Sequence, residues 1–376
     1  MSNNPLIIDV ETTSVYPFDP DSKLLFVGDF DGSSSNIEVV EFDGKPYSDA
    51  LERVSTRIQR TDLMVGFNIK FDLHWLKRYG ISLENKKILC LQVAEYILSG
   101  QTVRMPSLDD CLAKRGLPPK LPFDFTVEHS EASWREYLSQ DLLTEWLLYQ
   151  AVLKDLENQP KLKRLIFDSS QDLLITQQME GNGIKYDFTK SKTVANRIYG
   201  EIAEIDYRLQ ELMPHTWLNW ASGDHLSAVL FGGIAKYTVR ESYERTLKNG
   251  EIRQRSHEVV KKYQFPRLVE PLEKVKKEGY FKTDEGTLRS LKNPSKLAQE
   301  IINLILERSK LDKKVGTYYN GIPKLYEEMR WENELLHGQL HHCVTKTGRL
   351  SSSTPNLQNI EDGVRECLVS RFKEIN

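Results

Sequence analysis

Long apolar runs are missing from this sequence, which excludes a membrane-spanning helix of about 20 consecutive apolar residues. The N-terminal stretch MSNNPLIIDVET lacks a basic segment and offers only a brief apolar run, so it does not read as a secretory leader. Cysteine is scarce. The four present, at 90, 111, 343 and 367, show no C-x-x-C spacing and no companion histidine pattern. A disulfide framework or a zinc site is therefore not expected, and reduced thiols in a cytoplasmic setting are. Internal repeats and low-complexity tracts are also absent.

What is present is ordinary globular composition, 39% hydrophobic and 28% charged, over 376 residues, enough for two or three domains. The net charge of −3 hides an asymmetry. Residues 1–155 carry 16 Lys and Arg against 24 Asp and Glu, a net of −8, whereas residues 236–320 carry 20 against 12, a net of +8. An acidic front and a basic middle suit a carboxylate-rich site joined to a surface for a polyanion, although solvated charge runs give the same count.

The front reads as α/β. LIIDV and LLFVGDF are strand-like, NIEVVEFD alternates with a period near two, and DLMVGFN is a further short strand. DALERVSTRIQR, FDLHWLKRYG, AEYILSG, SLDDCLAKRG and SWREYLSQDLLTEWLLYQAVLKDLE read as helices, with Ser107 and Asp110 spaced as a capping box. This alternation predicts a mixed sheet flanked by helices. Beyond residue 160 the pattern is mostly helical, including IKYDFTKSKTVANRIYGEIAEIDYRLQELM and SKLAQEIINLILERSKLDKKVGTYYNGIPKLYEEMRW. Residues 232–295 are polar, basic and poorly periodic, which predicts a looped or mobile region; GQLHHCVT reads as a strand.

Three acidic elements stand out. Asp9 and Glu11 in IIDVETT leave one face of a strand, where their mutual repulsion would be relieved by a hard cation such as Mg²⁺. Asp72 opens a helix after a strand, a position that also suits a charge at a helix N-terminus. Tyr137 and Asp141 lie four apart on a helix and so share a face, with Asp141 among Leu138, Leu142 and Leu143, an unfavourable setting for an unpaired carboxylate.

In their order, D-x-E-T, N-x-x-F-D and Y-x-x-x-D over residues 5–155 resemble the three motifs of the 3′–5′ proofreading exonuclease domain of DNA polymerases. The resemblance implies a ribonuclease H-like fold and two divalent ions, Mg²⁺ or Mn²⁺. Asp9, Glu11 and Asp141 would hold one, and Asp9 with Asp72 the other, for in-line hydrolysis of the terminal phosphodiester. Tyr137, protonated at neutral pH, would orient the nucleophile. Thr12 and Asn68 would contact the terminal nucleotide, while Phe71 reads as core rather than as a base-stacking residue.

A second resemblance lies near the C-terminus. TKTGRLSSSTPNLQNI, residues 345–360, is similar to the primer–template-binding segment of family A DNA polymerases. It implies DNA contacts from Thr347, Arg349, Ser351, Ser352, Ser353, Asn356, Gln358 and Asn359. LLITQQMEGNGIKYD resembles the start of the polymerase part, and ASGDHLSAVLFGG and ERSKLDKKVGTYYNGI resemble its thumb, where Arg308, Lys310, Lys313 and Lys314 would face duplex phosphates. The basic insertion 236–290 departs from the simplest thumb pattern.

The expected layout is an α/β exonuclease domain at 1–157, the start of the palm and a mainly α thumb at 158–335, and a partial α+β palm at 336–376. The acidic polymerase motifs do not follow VRECLVSRF before the sequence reaches KEIN. The expectation is thus a split or truncated family A polymerase of bacteriophage type, working in the host cytoplasm. It would act on single-stranded 3′ ends and primer–template duplex, with palm and fingers supplied by a second polypeptide. A stand-alone DNA exonuclease, a non-catalytic DNA-binding remnant and an RNA-trimming exonuclease are the other readings.

Overall fold

A computed structural model describes residues 4–47, 49–246 and 251–372. Four residues of the basic stretch, 247–250, and the terminal KEIN lie outside the described residues. The chain divides into two compact units, Met1–Phe188 with Pro323–Asn376, and Thr189–Ile322.

The first unit is built on strands β1 (Pro5–Thr12), β2 (Leu24–Phe30) and β3 (Ser35–Val39), which form an antiparallel meander. The short pair β4 (Glu41–Phe42) and β5 (Lys45–Pro46) follows, then helix α1 (Ala50–Arg60). Next come β6 (Leu63–Gly66), α2 (Lys70–Arg78), β7 (Lys87–Cys90), α3 (Leu91–Leu98), α4 (Leu108–Arg115), α5 (Glu131–Asp155), α6 (Pro160–Asn182) and β8 (Ile184–Tyr186). β6 and β7 add in parallel to β1, giving a mixed five-stranded sheet of order β3-β2-β1-β6-β7. The expected mixed sheet flanked by helices is what forms.

The alternation along β1 decides which side of the sheet each residue serves. Leu6, Ile8 and Val10 pack with Val54 and Ile58 of α1 and Leu73 and Leu76 of α2. Ile7 packs instead with Leu138, Leu142 and Leu148 of α5. The N-cap half of the expected box at Ser107 forms, its hydroxyl accepting the N–H of Asp110 at 3.1 Å and donating to the Asp110 carboxylate at 2.6 Å, and α4 closes on Gly116 at φ 65°.

Two expectations are corrected here. Residues 184–186, taken as the start of a long helix, are strand β8: Gly183 at φ 64° ends α6, and the helix resumes only at α7 (Phe188–Leu212). The stretch 232–295 is not simply a loop. After α8 (Gly223–Phe231) it forms a ribbon of two paired strands, β9 (Gly233–Thr246) and β10 (Ile252–Phe265). The ribbon's base is held by Phe265 and Ala235 in the core and by Tyr237 stacked on Trp217 with centroids 4.0 Å apart. Beyond Glu241 both faces are exposed, so the sequence there has no apolar alternation to reveal a strand.

α9 (Glu285–Arg289), α10 (Lys296–Lys314) and a π-helical turn at Val315–Asn320 complete the second unit, which is mainly helical. Its core joins Leu209 of α7, Val229 and Leu230 of α8, and Ile301, Ile302 and Ile305 of α10. The chain then runs through α11 (Gly321–Glu328) into β11 (Leu335–Leu336), β12 (Gln339–His341), β13 (Ser351–Ser353), α12 (Asp362–Arg365) and β14 (Leu368–Val369). β11 and β14 flank β8 in a small antiparallel sheet, and β12 pairs with β13. Among the described residues no helix is long and apolar enough to cross a membrane.

Candidate metal centre and nucleic-acid surface

The period of β1 puts Asp9 and Glu11 on the side of Ile7, facing α5. Gly28, the cross-strand partner of Asp9, lets that helix come close. A Cβ on Gly28 would lie 2.8 Å from Leu142 Cδ1 and 2.9 Å from Leu138 Cγ. Asp141, between those leucines in the sequence, is thereby brought over β1. Ligand oxygens of Asp9, Glu11 and Asp141 all fall within 4.8 Å of one another. Asp72 joins from the first turn of α2, where its carboxylate accepts the Val10 N–H at 3.1 Å. The same N–H lies 3.0 Å from Asp9 Oδ1, so Asp9 and Asp72 meet at one backbone donor.

Four carboxyls in so small a volume oppose one another's ionisation. Burial, then the charge of Asp141, pushes Asp9 up to about 7. Burial, then Asp9 and Asp141, pushes Glu11 up to about 9. Burial and Asp9 likewise hold Asp72 well above the usual carboxylate range. Asp141 is raised by burial, against the lowering effect of Lys120, whose Nζ sits 2.6 Å from Asp141 Oδ2. Asp141 Oδ1 is buried with no hydrogen-bond partner among the described residues. An all-oxygen, carboxylate donor set with one oxygen unspoken for fits a hard divalent cation such as Mg²⁺.

Tyr137 stands one helical turn before Asp141 and is buried. Burial raises its phenol, so it is protonated at neutral pH, and Lys120 hydrogen-bonds it. Phe123 stacks on its ring with centroids 4.4 Å apart, so the loop between α4 and α5 fixes the phenol from above. Leu143, expected beside Asp141, faces solvent at 40% exposure; Leu138 and Leu142 alone supply the apolar setting.

A cavity of about 170 Å³ is lined by Asn68, Lys70, Phe71, His74, Trp331 and His341 among others. Asn68 is exposed there in the left-handed region at φ 55°. Phe71, expected as core, is half-buried and has one side on this cavity. Thr12 donates its hydroxyl to the carbonyl of Ser14 at 2.8 Å, which shapes the turn after β1. Glu180 of α6 also lines the cavity, accepting from Lys70 at 2.6 Å and from the Leu340 N–H at 2.6 Å, with His74 Nε2 at 2.7 Å from its other oxygen. Burial alone would raise Glu180; these partners hold it below its ordinary value.

The segment 345–360 is a loop and strand whose β13 pairs with β12, and Gln339 and His341 of β12 line this cavity. Lys346, Thr347, Gly348 and Arg349 are exposed at its tip, with Gly348 at φ 71°. Several of its polar groups are used to build the loop itself. Ser352 is buried and accepts the Leu357 N–H at 3.2 Å, Asn356 caps the turn at Gln358, and Ser353 meets His341 Nε2 at 2.7 Å. Ser351 is half-buried, while Asn356, Gln358 and Asn359 are exposed. In the second unit Lys310 and Lys313 are exposed and Lys314 half-buried. Arg308 turns inward instead, its Nε 2.7 Å from Asp206 Oδ1, and ties α10 to α7.

Three residues of this neighbourhood escaped the sequence reading: Lys120, Glu145 and Glu180. Lys120 comes from an aperiodic loop. Glu145 carried a signal, its spacing of four from Asp141. Glu180 is one acid in an otherwise unremarked helix.

Residues 2–157 match the 3′-5′ exonuclease family, and residues 235–375 match DNA polymerase family A. The chain is 27% identical over 304 residues to DNA polymerase I of Synechocystis, covering 78% of this chain and 26% of that protein. Against a thermostable DNA polymerase I of Thermus thermophilus it is 27% identical over 228 residues, covering 60% of this chain and 22% of that one. The chain thus spans about a quarter of the length of the curated relatives it matches. Its fold is similar to that of the POL domain of Pol1 from M. smegmatis, solved with DNA primer-template and dNTP. The TM-score is 0.65 at 15% identity, over 97% of this chain and 54% of that one.

Proposed function

From a chain that joins a 3′-5′ exonuclease domain, residues 2–157, to part of a family A DNA polymerase domain, residues 235–375, we propose a proofreading nuclease that trims the 3′ end of DNA. The observation that carries this reading is the convergence of Asp9, Glu11 and Asp141, with Asp72 sharing the Val10 N–H beside Asp9. Asp9, Glu11, Asp72 and Asp141 are the proposed ligands of two divalent ions, Mg²⁺ or Mn²⁺. Such ions, when bound, supply a nucleophilic water at neutral pH and neutralise charge at the phosphorus undergoing displacement.

The protein groups do the rest. Tyr137, kept protonated by its burial, orients the attacking group through its hydroxyl. Lys120 keeps Asp141 and Tyr137 in one arrangement. Thr12 and Asn68 flank the terminal nucleotide, and the cavity that Asn68 lines receives unpaired bases of the strand end. Asp9→Ala and Asp141→Ala should each abolish Mg²⁺-dependent shortening of single-stranded DNA while the far-ultraviolet circular dichroism stays unchanged. Undiminished trimming by the double variant would overturn the assignment.

We place the nuclease at 1–157, the palm start and thumb at 158–335 and further palm strands at 336–376. Duplex is held by Lys310, Lys313 and Lys314 of the thumb and by Thr347, Arg349, Ser351, Asn356, Gln358 and Asn359 near the palm. Ser352, buried in its own loop, supports these rather than touching DNA, and Arg308 supports the thumb. The acidic polymerase motifs are not among the 376 residues. Polymerisation therefore draws on further polypeptide carrying palm and fingers, in line or as a second chain, and the outer edge of β14 is where that sheet would extend. Primer extension by this chain alone would refute that part.

A further inference from the structure

Glu145 is a fifth acid at the carboxyl cluster, and the roles above leave it unused. It lies one helical turn beyond Asp141 on the same face of α5, as Asp141 lies one turn beyond Tyr137. It is 3% exposed. It packs near the Phe67 backbone, just past the end of β6, and its Oε2 is buried with no hydrogen-bond partner among the described residues. Asp9, Asp72 and Asp141 all act on it through their charge. A carboxyl in such a place is unfavourable unless a cation or a proton accompanies it.

Resting on the two-ion reading above, we propose that Glu145 is a positioning residue of the metal centre. Its negative charge, behind the ligand carboxylates, sets how tightly the second divalent cation is held. Burial places the carboxyl between α5 and the segment that leads from Phe67 to Asn68 and Asp72, so it acts through its neighbours and not by touching DNA.

The test is Mn²⁺ titration of the full chain, followed by electron paramagnetic resonance, for the unmodified protein and for Glu145→Gln. The unmodified chain should bind two ions, and Glu145→Gln should bind one of them about tenfold more weakly, the usual range for an outer-shell change. The rise in unfolding temperature on adding Mg²⁺ should shrink in parallel, while the metal-free variant unfolds no earlier than the unmodified chain. Glu145→Asp, which keeps the charge but draws it back by one methylene, should fall between the two, and it answers the question if the Gln form does not fold. Unchanged affinity for both ions in a folded Gln or Asp variant overturns this inference alone. Absence of Mn²⁺ binding by the unmodified chain overturns the two-ion reading and this inference together.

Discussion

Lys120 shows how much a single side chain can govern here. Its ammonium neutralises part of the carboxyl cluster, pairs with Asp141 and lies over the Tyr137 ring, 5.3 Å from its centroid, so it touches two side chains of the proposed site at once. Replacing it by methionine keeps most of the packing and removes the charge. Lys120→Met should lower kcat for single-strand trimming about 10–100-fold with little change in KM, because it acts through other residues. Steady-state trimming rates across a DNA concentration series measure both quantities, and an effect confined to KM would assign Lys120 to DNA binding instead. The same residue marks a limit of sequence reading. Asp9 with Glu11, and Tyr137 with Asp141, were legible because strand and helix periods dictate shared faces. Lys120 reaches the site from the loop between α4 and α5, where no period connects spacing to direction.

At the scale of elements, the site depends on how near α5 can come to β1 and β2. Gly28 sets that distance. Its hydrogen leaves room for Leu138 and Leu142, and the helix then delivers Tyr137 and Asp141 to the acids of β1. Gly28→Ala inserts a methyl group within 3 Å of both leucines. It should destabilise the fold by about 1–3 kcal/mol through overpacking, read from the urea midpoint. Trimming should slow beyond what the folded fraction explains, since α5 must shift; full activity per folded molecule would show that α5 has slack. Elements buried on one face were recognisable from their patterns, as with α1 and β3. β7 was too short to show a period, β8 was hidden inside a helical run, and the β9–β10 ribbon lacked a buried face over its outer half. Where burial does not sort the side chains, composition alone remains, and basic polar composition looks like loop.

For the molecule as a whole, the proposed reading gives the acidic front and the basic middle of the sequence two tasks: holding cations near β1 and holding phosphates elsewhere. Exposed cations on phosphates bind by releasing counterions, so duplex affinity should fall linearly with the logarithm of salt concentration. Arg349→Ala and Lys313→Ala should each reduce that slope by about 1, measured by fluorescence anisotropy with blunt duplex. Arg308→Ala should leave the slope unchanged while lowering thermal stability, because its charge is already engaged by Asp206. A slope insensitive to Arg349 would remove that residue from the binding surface. No count of basic residues distinguishes Arg308 from Lys313; only the packing of α10 against α7 does.

Glu180 binds Lys70, two positions before Asp72, and also the backbone of Leu340, on the strand that runs toward Arg349. The acids at one end and the arginine loop at the other are therefore mounted on a common bracket. On the proposed reading, a frayed DNA end measured against that bracket would meet a fixed gauge length, and the number of nucleotides that must unpair before cutting would become a property of the protein's own geometry.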